Sequence, residues 1–91
     1  RPHGPRDTFA LGRAAMDSGQ FRLGITLLQD FAQRFPQDPL AVPALLLAAQ
    51  HAAEHLNNTR ITTRLLNRIE ALGVAADDSR LQQLREAIKE K

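Results

Sequence analysis

Apolar residues along this chain return every three or four positions, in five stretches, and no stretch alternates with the period of a strand. The first helix is predicted from Asp7 or Thr8, either of which can cap, to Ser18, with Leu11, Ala14, Ala15 and Ser18 at helical spacing. The second covers about Gln20 to Phe35, with Leu23, Leu27, Leu28, Phe31 and Phe35 as its stripe, and Pro36 stops it. For the third, Asp38 is the expected cap with Pro39 in the first helical position, or else Pro43 delays the start to Val42. Asn57-Asn58 closes it and opens a fourth helix from Thr59 to Leu72, which Gly73 ends. Ile61, Leu65, Leu66, Ile69 and Leu72 are the buried stripe of that helix. Asp77, Asp78 and Ser79 offer caps for a fifth, whose apolar face is Leu81, Leu84 and Ile88. Short turns between short helices predict an all-α domain of antiparallel helix-turn-helix units.

The pattern repeats. A displacement of 38 residues carries Phe9 onto Leu47, Ala14 and Ala15 onto Ala52 and Ala53, and Leu23 onto Ile61. It also carries Leu27 and Leu28 onto Leu65 and Leu66, Phe31 onto Ile69, and Leu46 onto Leu84. A repeat of this length predicts stacked helix pairs, each completing its core against the next. "RPHGPR", residues 1–6, reads as a linker or cloning remnant. The single domain is then 7–91, with units at about 7–38 and 39–76 and a closing helix at 77–90.

Leu11-Gly12, Ala15, Gly19, Phe21, Gly24, Leu28, Phe31 and Pro36 stand at the spacings of a tetratricopeptide repeat, which the first unit resembles. "FPQDP" is similar to the junction between repeats in periplasmic bacterial members of that family. Thr8 departs from the family's Trp and Gly24 from its Ala, while the second unit has Gln50 and Val74 where Gly and Pro are expected. The resemblance implies an αα superhelix (TPR-like) in which the first helix of each pair lines a concave groove. It places Phe9, Arg13 and Met16, then Leu47, His51 and Glu54, then Arg85 and Lys89, along that groove. Arg13, His51 and Lys89 are equivalent under the displacement and are expected to stack as one line. Such a line suits an acidic or C-terminal peptide segment.

Composition narrows the chemistry. Without cysteine there is no disulfide, thiolate metal site or cysteine nucleophile. Ten Arg and two Lys against ten acids leave a net charge of +2, too little to imply nucleic acid by itself. Arg60, Arg64 and Arg68 form a basic stripe that reads as a solvated face, since no aromatics interleave for base stacking. No apolar run approaches the roughly 20 residues that span a bilayer. The chain starts at Arg1 rather than Met, so it reads as a domain of a longer protein whose address, cytoplasmic or periplasmic, lies elsewhere.

His51-Ala-Ala-Glu54-His55 has the spacing of the inverted zinc-peptidase signature. A catalytic zinc needs a third protein ligand and an open position for water, and no second motif supplies one. The expectation is that Gln50, His51, Glu54 and His55 share the wet side of the third helix, with Glu54 raising the proton affinity of both imidazoles. No nucleophile–base pair or phosphate loop occurs, and no cofactor or catalytic residue is predicted. The sequence therefore points to a non-enzymatic protein–protein interaction module of a larger, bacterial protein. The alternative is a self-association module, because a stack of two and a half units leaves an end face that helix five either caps or swaps onto a second copy, and a metal- or nucleic-acid-binding domain ranks below both.

Overall fold

The computed structural model describes residues 4–90 and shows five helices, with no strand among them. They are α1 (Pro5–Asp17), α2 (Phe21–Arg34), α3 (Ala41–Glu54), α4 (Thr59–Ala71) and α5 (Ser79–Lys89). Each of the first four packs against the next, and α5 folds back onto both α3 and α4. The fold is an all-α stack of antiparallel neighbours. Residues 1–3 of the expected linker lie outside the described residues, but Pro5 and Arg6 already belong to α1. Pro5 can open a helix because its missing N–H would have no partner in the first turn.

The helix ends follow local chemistry. After α1, Gly19 takes φ 84°, and the Gln20 N–H reaches back to the Ala15 carbonyl at 2.8 Å. This is the left-handed closure that glycine makes without steric cost. Asn57 turns the chain at φ 48° after α3, and the Asn58 side chain accepts the Ile61 N–H at 3.0 Å to cap α4. Asp78, not Ser79, caps α5, accepting the Arg80 N–H at 2.9 Å. Asp38 does not cap α3. Its carboxylate accepts the Leu40 N–H at 2.8 Å in a turn that precedes the helix. The start at Ala41 leaves Pro43 in the first turn, where its missing donor costs no intrahelical bond.

Phe31, Leu28, Leu45, Leu65, Leu66, Ile69 and Leu81 are fully buried and form one core with the alanines of α3. Displaced pairs share their burial where both units have neighbours: Leu28 with Leu66, Phe31 with Ile69, and Ala15 with Ala53. They diverge at the outer edge of the first unit. Leu11 and Leu23 are 46% and 48% exposed, and Ala14 is exposed too, whereas Ala52 is buried. Gly12, Ala15 and Met16 take the inner side of α1, and Gly24 and Ile25 that of α2.

Gly12 and Gly24 set how closely these helices approach. A Cβ on Gly24 would lie 2.7 Å from the Met16 sulfur and 3.1 Å from the Gly12 carbonyl oxygen. A Cβ on Gly12 would lie 2.7 Å from a Leu28 methyl. The missing side chains let α1 settle onto α2. Met16 fills the space that a side chain at position 24 would need.

Candidate functional site

The eight residues placed along the groove do not form one continuous line of free side chains. Phe9 is half-buried, edge-on to Phe31 with ring centroids 5.8 Å apart, and borders an open hollow with Arg6, Pro39 and Leu40. Arg13 is exposed and makes no ion pair among the described residues. Met16, at 4% exposure, belongs to the core and cannot line a groove. Leu47 is half-buried against the core.

At the other end of the expected line, Arg85 is held by α4. Its Nη2 donates to Glu70 Oε2 at 2.6 Å and to Asn67 Oδ1 at 3.2 Å. Lys89 faces Glu86 at 3.5 Å, an exposed pair of small energetic weight. Arg13 thus remains the one cation of the proposed line with no partner among the described residues.

His51 does not sit on the wet side of α3. Its ring stacks on Phe21, the first residue of α2, with centroids 5.4 Å apart, and on His55 at 5.1 Å. His55 in turn stacks on Phe21 at 4.0 Å with the planes 1° from parallel. Nδ1 of His51 is buried and finds no hydrogen-bond partner among the described residues. Burial pushes the imidazole below its ordinary value of 6.5, and the neighbouring His55 adds to this, against opposing pulls from Glu54 and Asp17. The expected rise in proton affinity is therefore reversed at His51, because desolvation of the cation outweighs the attraction of the carboxylates.

The histidines of the zinc-like motif take part in aromatic packing. Both imidazoles are engaged with Phe21, and Glu54 is exposed, 4.0 Å from His55 Nε2. Among the described residues no group of three or more metal-ligating side chains converges. The i, i+4 spacing here builds a three-ring cluster that fastens the C-terminal turn of α3 to the start of α2.

Two features lay beyond the sequence reading. A hollow of about 120 Å³ opens between α2 and α4, lined by Ile25, Leu56 and Ile61 with Arg22 and Arg64 at its sides. Arg64 was visible as the centre of the basic stripe, but nothing in the spacing placed Arg22 across from it. The other is the uneven use of charge. Among the described residues, Arg6, Arg13, Arg22, Arg60, Arg64 and Arg68 are exposed and form no ion pair. No family model, curated protein or solved structure matches this chain.

Proposed function

We propose that this domain is a non-catalytic, TPR-like protein–protein interaction module of a larger bacterial protein, and that its partner segment is acidic. The observation that supports this is the set of six arginines without ion pairs, spread over a scaffold whose apolar residues are largely committed to its core. Guanidinium groups recognise carboxylates in a planar, two-bonded geometry, and they hold their charge at any physiological pH. On the α1–α3 side the residues left for such a segment are Phe9, Arg13, Leu47 and Glu54, beside the hollow at Arg6 and Leu40.

The domain immobilised as bait in a bacterial lysate, beside an Arg13→Glu/Lys89→Glu variant, tests this. A protein held by wild type and lost with the variant supports the module and this groove. Equal capture by both removes the partner from the α1–α3 side. Capture of nothing but further copies of the domain favours self-association instead, for which Leu11 and Leu23 offer an exposed apolar edge.

A further inference from the structure

We propose that α2 and α4 carry a second docking surface, which takes an acidic segment of a partner protein by inserting one aliphatic side chain between Arg22 and Arg64. It uses different helices from the α1–α3 groove, so either surface can fail without the other.

The hollow is small and has an apolar floor. Ile25 is 4% exposed, while Leu56 and Ile61 are half-buried, so part of the floor is open to solvent. At about 120 Å³ it is well short of the several hundred cubic ångströms of a typical cofactor cleft. It accommodates a single side chain. The Thr26 hydroxyl on the same wall already donates to the Arg22 carbonyl at 3.0 Å, the Gln29 side chain also lines the wall, and the two guanidinium groups supply its charge.

Those groups have no internal use. The residues four positions from Arg22 are Ser18 and Thr26, and those four from Arg64 are Arg60 and Arg68, so neither helix offers an acid at the contact spacing. Two like charges flank one apolar depression, and Arg60 and Arg68 add to the field. Carboxylates on both sides of an inserted aliphatic residue would neutralise the arginines while that residue covers the floor. This pairing of an apolar anchor with charged flanks is the usual division of labour in a protein interface. The surface continues beyond Arg22 and Leu56 into a shallower hollow at Phe21 and Leu23. Leu23, 48% exposed, extends the apolar track along which the segment would run.

The test uses the whole 91-residue chain and an end-blocked synthetic peptide with one leucine flanked on each side by two glutamates. Its titration is followed by the methyl resonances of the protein. Shifts centred on Ile25, Leu56 and Ile61 are expected. Affinity should fall at least tenfold in Arg22→Glu/Arg64→Glu, and similarly when alanine replaces the peptide's leucine. Arg22→Gln/Arg64→Gln, which removes charge without reversing it, should give an intermediate loss while the thermal transition shows that the fold is kept. Unchanged affinity in the reversal variant overturns the proposal, as does a shift map centred on Phe9 and Leu47. A short oligothymidylate that moves the same methyls at lower concentration than the peptide would reassign the surface to nucleic acid. No shift at millimolar peptide removes this docking surface, while the lysate experiment decides the module reading separately.

Discussion

His51 holds a polar atom in a place that favours an apolar one. Its ring packs beside the stacked pair of Phe21 and His55, and Nδ1 is buried without a partner among the described residues. A buried, unpartnered nitrogen costs roughly 1–3 kcal/mol relative to a satisfied one. His51→Phe should keep the stacked arrangement and remove that cost, so near neutral pH the variant should unfold at a higher temperature, by a gain of about 1 kcal/mol. The pH dependence has a defined sign. The folded-state pKa lies below that of the unfolded chain, so the neutral ring's contribution is present above the unfolded value of about 6.5. It is lost as pH falls through the lower folded value. Wild type should therefore lose stability below about pH 6.5 more steeply than His51→Phe, with the neighbouring Asp17, Glu54 and His55 present in both. Parallel melting-temperature profiles across that range would show that His51 titrates as if exposed. The spacing of His51 and His55 was legible in the sequence, but their stacking was not, because Phe21 enters from another helix thirty residues away.

Within an element, periodicity fixes a stripe but not which of its edges will be covered. The stripe of α2 was read through Leu23 and Leu27, yet Gly24, Ile25 and Ala32 are its buried flank. That flank is set by where the neighbouring helices lie, with Met16 of α1 covering Gly24, and helical spacing within α2 holds no information about it. By contrast the bounds of α4 were legible nearly to the residue, since Asn58 caps its start and Gly73 turns at φ 106° just beyond its end. Of its stripe Leu65, Leu66 and Ile69 are buried, while Ile61 and Leu72 are half-buried and Thr62, outside the stripe, is buried with them. Its outer face is electrostatically unfavourable. Arg60, Arg64 and Arg68 follow each other at the i, i+4 spacing, and like charges so placed oppose the helix by roughly 0.2–0.5 kcal/mol per pair. Arg64→Glu turns both repulsive pairs into attractive ones. It should stabilise the chain by about 1 kcal/mol at low ionic strength, and the gain should shrink in high salt as screening grows. Urea unfolding at two salt concentrations checks this, and a variant less stable than wild type in both would mean that Arg64 has a favourable contact within the fold. The same substitution is half of the reversal that should weaken peptide binding at least tenfold, so a protein that folds better yet binds worse would separate a functional charge from a structural one.

At the scale of the whole molecule the two ends of the stack differ. The first unit ends in exposed Leu11 and Leu23, whereas α5 turns Gln82, Gln83, Glu86 and Glu90 outward and buries Leu81 completely. Leu81, Leu84 and Ile88 were legible as an apolar face, but not whether that face would close its own chain. In the structure it packs onto α3 and α4, so α5 acts as the polar cap that a terminal unit requires. Leu81 is the residue through which it does so, since Leu84 and Ile88 are only half-buried. Leu81→Ala should therefore destabilise the domain by about 3 kcal/mol, within the range for a fully enclosed leucine. Leu84→Ala should fall well short of that, since its side chain keeps part of its contact with water. For a domain of this size, 3 kcal/mol corresponds to roughly 10–25 °C in the thermal midpoint. The slope of free energy against urea then tells how the loss arises. An unchanged slope means that α5 stays docked over a cavity, because the same surface is exposed on unfolding. A reduced slope means that α5 has already left the native state of the variant. In that case the uncovered ends of α3 and α4 should make the variant associate with rising concentration, while the intact chain, capped at this end, shows no association that depends on the α5 face.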